Sequence, residues 1–262
     1  MYILFDLGKT NLRVAGTSDK KKFFGQKILK SPKTLEKAVD LIIEESEKIS
    51  KGKKIEGFAG GVTAVLDKSR GEKTASLLKK KTDRRALITN DSALVGLGEA
   101  NFGAGKNFSI VQYITVSSGI GGTRIVDSQI AKSAFGFEPG NQIIDWRKKI
   151  KLEDIASGTA IRKKYKKEPK EVLSPKVWRD LCQPLSVGIY NSILHWMPDV
   201  VVLGGSMITG NPAIPIKGIE QELKKINKVL PKLPPLKKAT LGDFGGLYGA
   251  LNLLDKNLDF FG

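Results

Sequence analysis

Four short stretches of this sequence carry side chains suited to holding phosphate and moving a proton. The first is Asp6-Leu7-Gly8-Lys9-Thr10-Asn11-Leu12-Arg13, a carboxylate followed by a glycine-containing turn. Successive backbone N–H groups in such a turn can form a nest for an anion. A carboxylate beside phosphates makes sense if hydrated Mg2+ lies between them, because Mg2+ keeps several waters and takes one or two carboxylates. The same residues also make an ordinary hairpin. Gly8-Lys9-Thr10 is not a Walker A loop, which needs a glycine five residues before Gly8, where Ile3 stands, and a helix afterwards.

The second stretch is Ser117-Ser118-Gly119-Ile120-Gly121-Gly122, where glycines allow close backbone approach and hydroxyls can donate to phosphate oxygens. Alone it is a flexible turn; two such turns in matching places are stronger evidence. The third is Asn90-Asp91-Ser92. Either residue could simply cap a helix. Alternatively Asp91, kept ionised by a helix N-terminus, is a general base for an attacking hydroxyl. The fourth, Val200-Val201-Val202-Leu203-Gly204-Gly205-Ser206, ends a buried strand in glycines, where nucleotides dock in open α/β sheets or where a strand merely turns into a helix. The single histidine, His195, reads as structural, and the single cysteine, Cys182, as a small buried side chain.

The elements that must position these groups follow from periodicity. Tyr2 to Asp6 and Leu12 to Ala15 read as a β-hairpin, and Phe23 to Leu29 as a third strand. Thr34 caps a helix through about Lys51, with Leu35, Ala38, Val39, Ile42 and Ile49 at helical spacing. Ile55 to Ala59 is a strand ending in Gly60-Gly61; Ala86 to Thr89 is another, leading into a helix from Ser92 to about Ala100. The pattern then restarts with strands at Ser109 to Val116 and Thr123 to Val126 flanking the second glycine turn. Helices follow from about Leu152 and from about Trp178 to Trp196, and a last one starts near Phe244. Alternating strands and helices imply α/β layers. The expected division is residues 1–106 plus 246–262 as one domain and 107–245 as the other.

Composition narrows the class. About 40% of the 262 residues are apolar, enough for a sizeable core, and no apolar run approaches the roughly 20 residues that span a bilayer. The chain opens on a strand pattern and carries one cysteine, so a cytoplasmic protein in a reducing compartment is expected. The formal charge of +17 comes from scattered lysines with no aromatic stacking motif among them. It reads as a solvated surface that favours encounter with anions, not as a nucleic-acid face.

Taken in order, these motifs resemble the ROK family (repressors, open reading frames and kinases) along nearly the whole chain. The family's Asp-x-Gly-Gly-Thr-x-x-Arg resembles Asp6 to Arg13, with Lys9 at one glycine, and its Gly-x-Pro-Gly-Pro-Val resembles Gly57 to Val62 without the prolines. Asn90 to Glu99 with Gly103-Ala104-Gly105, Thr115 to Gly122, and Leu241 to Ala250 resemble three further motifs. The family's Gly-Glu-x-Gly-His is represented by Phe137-Glu138-Pro139-Gly140-Asn141, its zinc-binding cysteine run is missing before Leu152-Glu153, and its sugar-contacting Asn-Leu-x-x-Trp segment is absent.

The resemblance implies two actin-like (ribonuclease H-like) α/β domains with an active-site cleft, and an ATP-dependent kinase for a hexose. Glucose, phosphorylated at C6, is the first expectation; an N-acetyl amino sugar, fructose, or a sensor role are the alternatives. It implies Asp91 as base, Asp6 holding Mg2+ through water, and phosphate or nucleotide contacts from Gly8, Lys9, Thr10, Asn11, Ser117, Ser118, Gly119, Gly121, Gly204, Gly205 and Ser206. Gly60, Gly61, Asn90, Glu138, Asn141 and Glu153 become candidate sugar contacts. No zinc, membrane or nucleic-acid partner is expected, and a homodimer is allowed. A chain starting on its first strand, with no helix-turn-helix domain ahead, is expected to be kinase-type. An amide accepts and donates, so Asn141 is expected to tolerate either orientation of a sugar hydroxyl and to make selectivity loose.

Overall fold

The computed structural model describes residues 1–63 and 68–257; of the segment 246–262, residues 258–262 lie outside it. The first part of the chain runs β1 (Tyr2–Leu7), β2 (Asn11–Thr17), β3 (Phe24–Lys30), α1 (Leu35–Ser50), β4 (Gly57–Val62), α2 (Lys68–Thr82), β5 (Arg85–Asn90) and α3 (Asp91–Phe102). Then come β6 (Ile110–Val116), β7 (Ile120–Val126), β8 (Gln129–Ile130), β9 (Ile143–Asp145) and β10 (Ile150–Lys151). The helices α4 (Glu153–Ala156), α5 (Gly158–Tyr165), α6 (Pro175–Asp180) and α7 (Cys182–Trp196) follow. The chain continues through β11 (Val200–Gly204), α8 (Ser206–Thr209), α9 (Ile216–Ile226), β12 (Leu236–Lys238) and α10 (Gly245–Asp255). Among the described residues no helix is long and apolar enough to cross a membrane.

Two compact units result. Unit 1 holds Met1–Phe102, Ala134–Gly136 and the described residues from Leu241; unit 2 holds Gly103–Ser133 and Phe137–Thr240. In unit 1 the sheet order is β3-β2-β1-β4-β5, antiparallel through β1-β2-β3 and parallel through β1-β4-β5. Side chains alternate across a strand, so β1 feeds two cores. Ile3, Phe5 and Leu7 pack with Ala38, Val39 and Ile42 of α1 and Leu78 of α2. Tyr2 and Leu4 pack with Leu94 of α3 and Leu247, Leu251 and Leu254 of α10. Each fully buried large side chain contributes about 1.5–3 kcal/mol by leaving water. The α3–α10 crossing is backbone-close: a Cβ at Gly98 would strike the Gly245 carbonyl, and one at Gly249 the Leu94 carbonyl. The buried Glu99 side chain accepts from the Leu241 N–H at 2.8 Å and so anchors the segment leading into α10.

Unit 2 repeats the plan. Its order is β12-β11-β6-β7-β8, with β6-β7-β8 antiparallel and β6-β11-β12 parallel. Ile114, Val116, Val201 and Leu203 pack beneath Leu185, Ile189 and Ile193 of α7. Two helices expected as single pieces are broken. The stretch from Leu152 splits at Ser157, whose hydroxyl caps α5 by accepting from Ala160 N. The stretch before Trp196 splits at Leu181, between α6 and α7. Thr34 does cap α1, accepting from Lys37 N.

Candidate functional site

In unit 1 the alternation of β1 turns Asp6 toward α3 and α10. Gly246 in the first turn of α10 lies directly over it: a Cβ there would sit 2.5 Å from Asp6 Oδ2. Asp6 is 5% exposed, and its buried Oδ1 has no hydrogen-bond partner among the described residues. Arg13, its partner in the β1–β2 register, brings a guanidinium nitrogen to 3.6 Å from Oδ2 and another to 3.3 Å from Asp243 Oδ1. Burial pushes the Asp6 carboxyl up to about 7 against the pull of Arg13, and the charge of Asp91 adds to the rise.

The helix-cap question at Asn90-Asp91 resolves in favour of Asn90. Its Oδ1 accepts from Ser92 N at 2.9 Å, Ser92 Oγ at 2.6 Å and Ala93 N at 3.2 Å. Asp91 opens α3 with Oδ2 accepting from the Thr63 hydroxyl at 2.7 Å and Oδ1 from Ser92 N at 2.8 Å. Burial holds the Asp91 carboxyl above its ordinary value, while the Thr63 and Ser92 hydrogen bonds pull it back. Thr63 is itself fixed, its N–H donating to Leu7 O at 3.1 Å, so the ends of β1, β4 and β5 meet at this carboxylate. Gly60 and Gly61 have a packing reason: a Cβ at Gly60 would strike the Phe5 carbonyl and ring, and one at Gly61 would come 3.2 Å from Asp91 Cα.

The first turn is closed by Gly8 N donating to Asn11 O at 3.0 Å, and Ser31 Oγ donates to Gly8 O at 2.7 Å. Lys9 and Thr10 are left exposed at its tip.

In unit 2 the second turn is tied to the end of β11. Ser117 N donates to Gly119 O at 2.9 Å, and the Ser117 hydroxyl accepts from Ser206 N at 3.1 Å. Gly205 has φ +85°, and a Cβ there would lie 2.6 Å from Ser117 Oγ and 2.7 Å from Thr115 Oγ1. Gly204 is buried against the Tyr113 ring, and Gly121 lies in β7 opposite Thr115. From behind, Gly158 N and Thr159 N donate to Ser117 O and Ser118 O at 2.7 and 3.1 Å. Glu153 Oε2 is 3.2 Å from where a Gly119 Cβ would be. The turn is thus fixed by its own hydrogen bonds, lined by hydroxyls and glycines, and bordered by the Glu153 carboxylate.

Glu138 and Asn141 flank the short turn Pro139–Asn141. Asn141 Nδ2 donates to Glu138 Oε2 at 3.0 Å, and Lys151 Nζ donates to Asn141 Oδ1 at 2.9 Å. The amide expected to tolerate either orientation of a sugar hydroxyl thus has both of its polar atoms engaged within the protein. The segment Gln142 to Lys151 is held by hydrogen bonds: the Gln142 amide donates to Pro139 O, Gly188 O and Ser192 Oγ, and Leu152 N donates to Gln142 O. Cys182 is buried and its thiol is pushed up to about 11, chiefly by burial; His195 is exposed at the end of α7.

Sequence reading assigned no role to Arg13, Thr63 or Lys151. Arg13 was within reach, since any tight hairpin puts it across from Asp6. Thr63 and Lys151 carry no local signal.

The sequence profile of the ROK family matches residues 2–257. The chain belongs to the ROK family. An N-acetyl-D-glucosamine kinase of Haemophilus influenzae is 24% identical over 97% of this chain and 99% of its own length. A Clostridium perfringens protein of uncharacterised function is 26% identical over 53% of this chain, and a Thermotoga maritima glucokinase 28% over 39%. The chain spans only 52% and 35% of the lengths of those two. Among solved structures, a ROK hexokinase from Thermus thermophilus superposes with a TM-score of 0.79 at 23% identity, covering 96% of this chain and 97% of that one. A ROK glucokinase from Streptomyces griseus, in complex with glucose and AMPPNP, gives 0.79 at 18% identity over 98% and 99%. A ROK family transcriptional regulator gives 0.80 at 16% over 97% and 78%. The fold is thus the actin-like α/β fold of the ROK kinases.

Proposed function

We propose that this chain transfers the γ-phosphoryl group of ATP to a hydroxyl of a hexose, with glucose and its C6 hydroxyl as the first candidates. The observation that carries the reading is the state of Asp91. Asn90 takes over helix capping, and Thr63 and Ser92 orient a carboxylate whose affinity for a proton burial has raised. Such a group accepts the hydroxyl proton as the oxygen attacks phosphorus. Phosphoryl transfer otherwise depends on positioning and charge neutralisation. Backbone N–H groups and hydroxyls of Gly8 to Asn11 and of Ser117 to Gly119 would hold the phosphates, and Gly204 to Ser206 the nucleoside. Glu138, Asn141 and Glu153 would bind sugar hydroxyls.

Asp6 fits a hydrated Mg2+, because its buried Oδ1 lacks a partner among the described residues and water held by a cation would supply one. Bound there, Mg2+ would offset charge on the phosphate oxygens. Arg13 keeps the Asp6 carboxylate in place.

The full-length match to an N-acetyl-D-glucosamine kinase favours an N-acetyl amino sugar as the second reading. Sugar-dependent ADP release from ATP, measured over glucose, mannose, fructose, N-acetylglucosamine and N-acetylmannosamine, tests the proposal and ranks the two. Absence of sugar-dependent ADP release with every sugar overturns it.

A further inference from the structure

We infer that Lys151 is a specificity-determining positioning residue: its ammonium fixes the orientation of the Asn141 amide and so decides which sugar hydroxyls that amide can bind. The inference rests on the sugar-kinase reading above. Its basis is the relay in unit 2 from Lys151 Nζ to Asn141 Oδ1 at 2.9 Å, and from Asn141 Nδ2 to Glu138 Oε2 at 3.0 Å.

The chemistry of the three groups allows one orientation. An ammonium only donates, and an ionised carboxylate only accepts. With Lys151 on one side and Glu138 on the other, the Asn141 amide is satisfied only with oxygen toward Lys151 and nitrogen toward Glu138. The reverse orientation sets N–H against ammonium and carbonyl against carboxylate. What remains for a ligand is one N–H and one carbonyl lone pair, each in a fixed direction, so a sugar hydroxyl must accept on the one side and donate on the other.

The backbone enforces the meeting of residues ten positions apart. Leu152 N donates to Gln142 O at 2.9 Å, closing the base of the β9–β10 hairpin beside Asn141 and Lys151. The Gln142 amide fastens that base to Gly188 O and Ser192 Oγ of α7. Leu152 is fully buried against Gly188, where a Cβ would collide with it. Asp154 Oδ2 accepts from Lys151 N at 3.1 Å, fixing the start of the lysine stem.

Lys151 is exposed, so the expected effect is modest, and the choice of replacement isolates it. An arginine at this position would still only donate. Glutamine both donates and accepts, and so permits either amide orientation. Steady-state kinetics on wild type, Lys151→Arg and Lys151→Gln, with glucose, its monodeoxy analogues, mannose and N-acetylglucosamine, give the test. In Lys151→Gln the KM for the preferred sugar should rise roughly three- to tenfold with a smaller change in kcat. The penalty for one deoxy position should shrink and the ranking of sugars should compress. Lys151→Arg should retain the wild-type ranking, and both variants should keep the wild-type KM for ATP and thermal midpoint. If Lys151→Gln reproduces the wild-type ranking and deoxy penalties while wild type is active, this inference is overturned and the kinase reading stands. If Lys151→Arg and Lys151→Gln lose selectivity equally, the donor-only argument is overturned. A wild type that neither phosphorylates nor binds any of these sugars overturns both.

Discussion

The two units share one backbone plan and differ in what they place at the same point of it. In each, the central strand runs to a hairpin turn, and the last paired residues are Leu7 with Leu12 in one and Val116 with Ile120 in the other. One step earlier stand Asp6 across from Arg13 in unit 1 and Thr115 across from Gly121 in unit 2. Unit 1 therefore buries a charged pair where unit 2 has a hydroxyl and a glycine. The next parallel strands diverge likewise: β4 ends beside Thr63, whose hydroxyl donates to the Asp91 carboxylate, and β11 ends in Gly204-Gly205-Ser206, whose backbone N–H meets the Ser117 hydroxyl. One repeated scaffold thus places carboxylates at the strand ends of unit 1, and hydroxyls and glycines at those of unit 2.

Substitutions at equivalent points should break this contrast, the largest effect first. Asp91→Asn should cut phosphoryl transfer about 10²–10⁴-fold while ATP binding persists; wild-type turnover would reduce Asp91 to a helix residue. With the native carboxylate, activity should fall as pH falls, with a limb above the ordinary value of 3.8 because burial favours the protonated acid. A limb at or below that value in the pH profile of kcat would contradict the proposed environment.

Asp6→Asn should separate stability from function. The folded carboxyl binds its proton up to about 7, against 3.8 as the ordinary value. Its stability contribution is therefore present at low pH and is lost as pH rises through about 7. Asparagine cannot ionise, so in magnesium-free buffer at pH 8 the variant should be more stable by roughly 4 kcal/mol, the gap closing toward pH 5. It should also lose Mg2+-dependent activity. Urea unfolding at the two pH values measures this, and an unchanged gap would refute the raised carboxyl.

In unit 2, Gly205→Ala forces a side chain into backbone at φ +85° beside Ser117 Oγ. It should cost about 2–3 kcal/mol of stability and weaken ATP more than sugar. Ser117→Ala removes the acceptor of Ser206 N–H and should cost about 1 kcal/mol, with a several-fold rise in the KM for ATP. His195→Ala, at an exposed helix end, should change stability by less than about 0.5 kcal/mol and leave kcat alone.

What could be read from sequence was whatever is encoded locally. Hairpins, the Thr34 cap and the strand end at Gly204-Gly205 follow from turn chemistry and alternation within a few residues, whereas Gly60-Gly61, expected to end its strand, lies inside β4, where the glycines answer to the crowding of Phe5 and Asp91. The repeat of plan in the two units was also legible, because both hairpins are glycine-marked. Helix α9 was missed although Ile216, Ile219, Leu223 and Ile226 carry its stripe. Helix α2 had little to show, with Leu78 its one fully buried apolar side chain among those described. β12, three residues long, has no signal of its own and exists only because β11 offers an edge. At the candidate site, Asp6, Asp91 and Ser117 stand out by type and spacing alone. Their supports were not, since Asp243 reaches Arg13 from 230 positions away and Leu241 reaches Glu99 from 142.

The glycine crossing of α3 and α10 also sets an order of events during synthesis. Asp6 lacks its lid at Gly246, and the Leu94 face of α3 lacks its cover, until residues 241–255 have been made. Those residues follow the whole of unit 2. A nascent chain carrying the complete first hairpin and Asp91 therefore still presents an open apolar face and an unfinished carboxylate pocket. Unit 1, begun first on the ribosome, is completed last.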